Sequence, residues 1–293
     1  MALAGLVLFN VVNAVAVLAL LSLGLGVIYG MMRIINLAHG EFLMLGAYAT
    51  VLSANAGLNL WVAMLVASPV VVGLFGLAVE RLFIRFLYGR MIDTMLATWG
   101  LSLGVIGLIT TIFGNTVRGV SAPLGGFSIG GYQTSLYSVF VIAVAAVMVA
   151  GLWLALRFTR FGLIVRATMQ NPDMAAALGV SPQRVYMVTF ALGSALAGLA
   201  GGVLAPVSGV SPVMGGAFIA RAFITVLGGG PAIVTGTGLA SGLFGSISEV
   251  ATFLTTPVFG QVALLLAALI MIRILPQGIT GSGITGRLLR RSL

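Results

Sequence analysis

From Thr94 to Val117, Gly119 to Leu156, Val185 to Ala220, Ala222 to Ser248 and Ala251 to Ile272, the chain runs without a charged side chain. A helix that crosses a bilayer needs roughly 20 such residues, and the core of a soluble protein rarely sustains that length even once. Only 6% of the 293 residues are charged, where a soluble domain carries about a quarter. Most of the surface therefore has to face lipid. Polar and apolar residues do not alternate with period two, which argues against an outer-membrane barrel. The expected fold is all-α: a polytopic transmembrane helical bundle. Glycine, at 41 residues, suits it, because small residues let helix backbones approach closely in lipid.

The net charge is +9, from 14 Arg, no Lys and five acids. The arginines sit at the ends of apolar runs, where they set orientation in a membrane, so nucleic acid is not the expected partner. Ten of them fall in three clusters: Arg81, Arg85 and Arg90; Arg157, Arg160, Arg166 and Arg184; and Arg287, Arg290 and Arg291. The positive-inside rule puts all three in the cytoplasm. Between the first two lies room for two spans and an outer loop around Gly114–Gln133. Upstream, Leu6–Met32, Asn36–Ala54 and Leu60–Val79 read as spans. Downstream, Val185–Val207, Ala217–Gly230, Gly236–Thr252 and Val258–Leu275 do the same. Ala217–Gly230 is short enough to be broken or re-entrant, so eight or nine spans are expected. The first run lacks a basic start and continues to Met32, too long for a signal peptide, and is read as a retained span. Without cysteine there is no disulfide, thiolate metal site or thiol nucleophile.

Two segments carry the polar signal. The first, Arg33 to Phe42, holds the protein's single histidine, His39, beside Asn36, Gly40 and Glu41. Ionisable groups at membrane depth face a cavity, a bundle interior or each other. His39 and Glu41 are two apart, so they do not make a one-turn metal pair. They read either as a helix break beside a substrate path or as a plain cytoplasmic turn. The second segment, residues 157–184, contains Asn171-Pro172-Asp173, a helix start written as N-cap, proline and acid. Gly179 supplies a stop, and Ser181-Pro182 starts the next membrane helix. This reads either as a rigid cytoplasmic docking knob or as an ordered interhelical loop. A faint repeat at an offset of 176 pairs Gly26 with Gly202, Gly40 with Gly216 and Phe42 with Phe218, in the manner of duplicated transporters with broken helices. Arg221 is a second candidate for a charge inside the bundle. The glycine-rich run after Leu227 lacks the lysine of a phosphate-binding loop. No catalytic, metal or cofactor site is expected. Secondary transport usually leaves acids in the spans, and few are present, whereas a subunit driven by a separate ATPase needs only a path and a docking helix.

Gly26 to Tyr48 resembles the N-terminal signature of the branched-chain amino acid permease family, which also includes permeases for urea and short amides. Arg166 to Val180 resembles its cytoplasmic loop, Phe218 to Gly230 its third signature, and Leu275-Pro276-Gln277-Gly278-Ile279 its C-terminal ending. The resemblance implies one transmembrane permease domain over residues 1–293 of a multi-pass protein of the bacterial inner membrane. It implies a second related permease subunit, two cytoplasmic ATPases and a periplasmic binding protein as partners, with ATP used by those partners and no cofactor held by this chain. It makes Asn171, Pro172, Asp173, Met174, Ala175, Ala176, Ala177, Leu178 and Gly179 the coupling helix. It puts Asn36, His39, Gly40 and Glu41 at the first helix break, with Gly216 and Arg221 as further path candidates. Branched-chain or related amino acids are the expected substrate. Urea or short amides are the alternative, followed by a secondary transporter or channel.

Overall fold

A computed structural model of the chain describes residues 2–281. The third arginine cluster, Arg287, Arg290 and Arg291, lies outside the described residues. The helices are α1 (Ala2–Met32), α2 (His39–Asn55), α3 (Leu60–Val62), α4 (Ser68–Leu82), α5 (Met91–Phe113), α6 (Leu136–Phe158), α7 (Arg160–Gln170), α8 (Pro172–Ala177), α9 (Pro182–Ser208), α10 (Met214–Gly229), α11 (Ile233–Leu254) and α12 (Pro257–Ile274). A π turn, Ala63–Ala67, joins α3 to α4 into one helix, Leu60–Leu82. Pro69 lies just beyond that turn. Its missing N–H and its ring cannot fit the regular ladder, and one wider turn absorbs the misfit.

Among the described residues six helices are long and apolar enough to cross a membrane, or up to seven with α10 and α11 counted as one pair bent by 116°. The eight or nine spans expected from sequence are not met on length. Three helices account for the difference: α2 and α10 have only 17 and 16 residues and each starts at a break, and α11 counts only together with α10. The outer loop also holds an antiparallel hairpin, β1 (Gly126–Ile129) and β2 (Tyr132–Ser135), which the all-helical expectation did not include.

The chain divides into two compact units, interleaved along the sequence. The larger takes Gly24–Ser121 and Ala150–Ala220, with α9 packed between α2 and α4. Neighbouring contacts fix the directions. Gly46 meets Gly198 and Thr50 meets Gly202, so α2 and α9 run parallel, whereas Ile28 and Gly24 meet Gly193 and Ala197 in the reverse order, so α1 and α9 run antiparallel. A Cβ on Gly46 would fall on the Gly198 carbonyl. Glycine is what allows this approach, and in lipid such packing carries helix association. Ser68 bridges both helices, donating to the Gly46 carbonyl at 2.9 Å and the Gly198 carbonyl at 2.5 Å. A buried cluster of Met44, Ala47, Tyr48, Val51, Val105, Ile109, Ala205, Val210 and Met214 fills the space beside them.

The smaller unit takes the described parts of Met1–Leu23, Ala122–Val149 and Arg221–Leu293. Here α11 and α12 form a hairpin over Leu18, Phe244, Leu264, Ala268 and Met271. Gly260 packs against Ser248 and Thr252 at one end, and Gly228 against Met271 at the other. The bend between α10 and α11 is tied to the segment after α12: Ile279 N–H donates to the Gly228 carbonyl at 2.8 Å and Thr280 N–H to the Gly229 carbonyl at 3.1 Å.

The element order repeats. A long helix, a break of five or six residues, a short helix and two further helices occur as α1, α2, α3–α4, α5 and again as α9, α10, α11, α12. Met32 and Ser208, the last residues of α1 and α9, lie 176 apart, and His39 and Met214, the first of α2 and α10, lie 175 apart. With α1 and α9 antiparallel, the repeat is of the inverted kind found in many transporters.

Candidate functional site

The first break runs from Arg33 to Ala38. Arg33 leaves α1 with φ +52, the left-handed region. Backbone groups freed at membrane depth must find partners in the protein. Asn36 and Thr98 supply them. Ala38 N–H donates to Asn36 Oδ1 at 3.1 Å, and Leu37 N–H donates to Thr98 Oγ1 at 3.1 Å. His39 is fully buried, close enough to α1 that a Cβ on Gly24 would lie 3.2 Å from its Cε1. Gly24 is eight residues before the end of α1, about 12 Å along the axis. The start of α2 is therefore set back along α1.

Asn36, His39 and Glu41 are all buried, at 0%, 0% and 4% exposure. Ser102 lies beside the Glu41 carboxyl group. Among the described residues, Asn36 Nδ2 and Glu41 Oε2 have no hydrogen-bond partner. Against this stands the start of α10. A Cβ on Gly40 would lie 2.7 Å from the Gly215 carbonyl carbon, and one on Gly215 would lie 2.6 Å from that of Gly40. Two helix N-termini, each with a partial positive charge, thus abut through their backbones. Gly216, the residue picked from sequence, is exposed with nothing within 4 Å of a Cβ; its neighbour Gly215 makes the contact. Arg221 is half-buried in the middle of α10 rather than at the start of an apolar segment. It belongs to the smaller unit, whereas the break residues belong to the larger. Sequence reasoning missed Thr98, Ser102 and Gly215. Thr98 and Ser102 had a visible signal, as hydroxyls within an apolar run.

The second polar segment, residues 157–184, contains a pair of short capped helices. Thr159 caps α7, accepting from Gly162 N–H at 3.1 Å, and Asn171 caps α8, accepting from Met174 N–H at 2.9 Å. The helix after Pro172 closes at Ala177, one residue short of the expected Leu178, and Gly179 ends it with φ +87. Val180 N–H then returns to the Ala175 carbonyl at 3.0 Å, a helix stop that only a residue tolerant of positive φ allows. Ala175 is buried, whereas Met174 and Leu178 are 58% and 78% exposed. The knob is anchored on one side and apolar on the other. Ser181 precedes Pro182 as expected, but its side chain makes no cap bond. The amphipathic α7 was not foreseen.

Of the acid–base neighbours at the first arginine cluster, Arg90 and Asp93 pair at 3.5 Å. Glu80 instead accepts from the Tyr88 hydroxyl. Burial, reinforced by that carboxylate, pushes the Tyr88 phenol above its ordinary range, so it remains a proton donor.

Residues 7–275 match the family model for the permease component of branched-chain amino acid transport systems. The chain belongs to this family. Relatives include a probable branched-chain amino acid transport permease protein LivH of Methanocaldococcus jannaschii, 31% identical over 90% of this chain and 88% of that one. LivH of the Escherichia coli K12 high-affinity system is 27% identical over 94% of each, and BraD of Pseudomonas aeruginosa is 30% identical over 78% and 79%. A solved structure, PsaBC from Streptococcus pneumoniae in complex with Fab, shares the fold at a TM-score of 0.50 and 18% identity, over 98% of this chain and 95% of that one. The permease is thus a multi-pass membrane transport component and not an enzyme.

Proposed function

We propose that this permease is the membrane path of an ATP-driven importer for branched-chain or closely related amino acids in the bacterial inner membrane. Its partners are a second related permease subunit, two cytoplasmic ATPases and a periplasmic binding protein. The whole chain works as one permease domain, and residues 157–184 are its coupling loop. The observation that carries the coupling is α8: six residues, capped by Asn171, stopped at Gly179, with Met174 and Leu178 standing free. A helix pinned at both ends transmits a push, whereas a slack loop absorbs it.

The path reading rests on the abutting starts of α2 and α10 and on the partnerless polar atoms of Asn36 and Glu41 beside them. Half-helix N-termini at membrane depth suit an anionic substrate group, and a buried carboxylate suits a cationic one; an amino acid carries both. Gly216 and Arg221 remain candidates farther along α10.

The finer membrane topology follows from the same features. Because the bend before α11 sits level with the end of α12, and α11 at 22 residues reaches about 33 Å, α11 is a crossing of its own. Taking α2 and α10 as partial crossings gives nine membrane helices, with the start of α1 outside and the end of α12 inside.

The test is binding-protein-stimulated ATP hydrolysis in reconstituted complexes carrying Ala176→Trp. Ala176 is exposed on α8, so the bulky ring should block docking without unfolding the membrane domain, and hydrolysis or assembly should fall. Wild-type levels of both would leave α8 a mere connector. The purified chain alone should hydrolyse no ATP. The molecule retained by the co-purified binding protein identifies the substrate.

A further inference from the structure

The ends of α4 and α9 at the arginine clusters enclose a cavity of about 180 Å3, lined by Glu80, Arg81, Arg85, Gln183, Arg184 and Met187. Three of its six residues are cations, and all three are exposed. The one acid in its wall, Glu80, is 2% exposed and holds the Tyr88 hydroxyl, so one acid against three cations leaves the lining net positive. Among the described residues Arg81, Arg85 and Arg184 have no carboxylate within ion-pair distance; the pair nearby is Arg90 with Asp93. The first turn of α9 opens beside them, where Ser181 caps no amide and Gln183 and Arg184 follow Pro182. Three guanidinium groups and a helix start of partial positive charge therefore face one small cavity. On the same stretch Leu82, Phe83 and Phe86 are 64%, 55% and 70% exposed. These apolar side chains stand where the membrane meets its cytoplasmic surface, as the arginine clusters place it.

We propose that this cavity binds a phosphate group, and that the source is an anionic phospholipid whose headgroup enters among Arg81, Arg85 and Arg184 while its acyl chains lie along Leu82, Phe83 and Phe86. The cations supply what a phosphate diester needs, forked donors in a recess. The apolar skirt distinguishes a lipid from a dissolved phosphate ion, because free phosphate gains nothing from it. A site of this kind would hold the ends of α4 and α9 together at the membrane face, beside the loop that carries α8.

The experiment uses the full chain with its co-purified subunits, delipidated in a neutral detergent and titrated by native mass spectrometry. Phosphatidylglycerol is the probe, phosphatidylcholine the zwitterionic comparison, and inorganic phosphate the competitor. Phosphatidylglycerol should bind in preference to phosphatidylcholine. Arg85→Gln and Arg184→Gln should each weaken it about fivefold, from roughly one surface-arginine contact apiece. Arg184→Lys should lose less, since it keeps the charge. Arg160→Gln, which alters an arginine outside the cavity, should change nothing, and millimolar phosphate should not displace the lipid. Equal losses in Arg160→Gln and the cavity variants would reduce the effect to general surface charge and overturn the proposal. Displacement by phosphate would overturn the lipid source. Unchanged lipid binding with loss of the ATPase subunits would make the cavity a protein contact instead. Unfolding midpoints of the variants in detergent separate these outcomes from a folding defect.

Discussion

Between α1 and α2 the chain is carried across its gap by side chains, whereas between α9 and α10 it is carried by backbone. In the first break Asn36 Oδ1 receives the Ala38 amide and Thr98 Oγ1 the Leu37 amide, each at 3.1 Å. In the second, Arg118 N–H donates to the Val210 carbonyl at 2.8 Å, and Val210 N–H returns to the Arg118 carbonyl at 2.7 Å. Both obey one requirement, that main-chain polar groups away from water be satisfied within the protein. They differ in who satisfies it. The first depends on residue identity at 36 and 98; the second asks only for a non-proline backbone at 118 and 210. The inverted repeat thus has one chemically specific break and one that is structural. Each break leaves buried polar atoms over: Asn36 Nδ2 and Glu41 Oε2 at the first, Arg118 Nε at the second.

The largest expected effect is at the point where the two halves of the repeat touch. Gly40→Val adds a branched side chain where even a Cβ would meet the Gly215 backbone. Neither partner is the flexible end of a side chain, so the helix starts themselves have to part. The expected cost is about 3 kcal/mol, at the upper end for overpacking, with Gly215→Val alike. The measurement is yield of monodisperse protein and its unfolding midpoint in detergent. Wild-type behaviour of Gly40→Val would break the comparison, since the two starts would then not meet in the folded protein.

How much of this could be read in advance follows the same division. The first break was visible because side chains build it: Asn36, His39 and Glu41 interrupt an apolar run. The second, Gly209-Val210-Ser211-Pro212-Val213, puts no ionisable residue into the sequence, because its partner is the main chain of residue 118. It therefore appeared only as the start of a short apolar segment. The 176-residue offset located the ends of α1 and α9, yet it paired Gly40 with Gly216 where the packing pairs Gly40 with Gly215. One residue on a helix turns the side chain by about 100°, and periodicity in a glycine-rich chain does not resolve that. The short helix after Pro172 was legible almost to the residue, because capping chemistry is local and needs no tertiary partner. Helices counted by apolar length alone suffered most, since α2 and α10 are short and start at breaks, and α11 counts only together with α10.

A middle-sized effect sharpens the contrast between the breaks. Thr98→Val keeps the shape of the side chain and removes the hydroxyl that receives Leu37 N–H and reaches the Ile35 carbonyl at 3.4 Å. A buried amide left without its acceptor costs about 1–3 kcal/mol. The unfolding midpoint should drop accordingly, and substrate-stimulated hydrolysis in the complex should fall with it if the break lies on the path. An unchanged midpoint would mean that water or another group satisfies Leu37, and the first break would no longer depend on residue identity.

The matching change at the second break should do little. Arg118→Gln leaves both main-chain bonds to Val210 in place and removes a guanidinium that stands 5.3 Å from the Phe113 ring centroid. Arg118 is half-buried, and such a contact is worth about 0.5–2 kcal/mol between exposed and desolvated sites, which bounds the loss. A drop as large as that of Thr98→Val, measured in the same detergent, would show that the side chain supports the second break too.

The smallest effect is expected one residue from the largest. Gly216 follows Gly215 in the first turn of α10, but a Cβ placed there meets nothing within 4 Å. Gly216→Ala removes backbone freedom from the unfolded chain and adds no clash, so stability should hold or rise by about 0.5–1 kcal/mol, the usual gain of alanine over glycine inside a helix. Gly215→Ala at the neighbouring position should instead destabilise, because its added carbon would meet the Gly40 carbonyl. The pair of variants also separates architecture from transport. If Gly216 lines the path, its added methyl narrows the space beside the α10 start, and uptake in reconstituted vesicles falls while the unfolding midpoint does not. If uptake and midpoint both match the wild type, Gly216 is no part of the path. The repeat would then contribute its glycines to packing alone, and Asn36, Glu41 and Arg221 would remain as the proposed path residues.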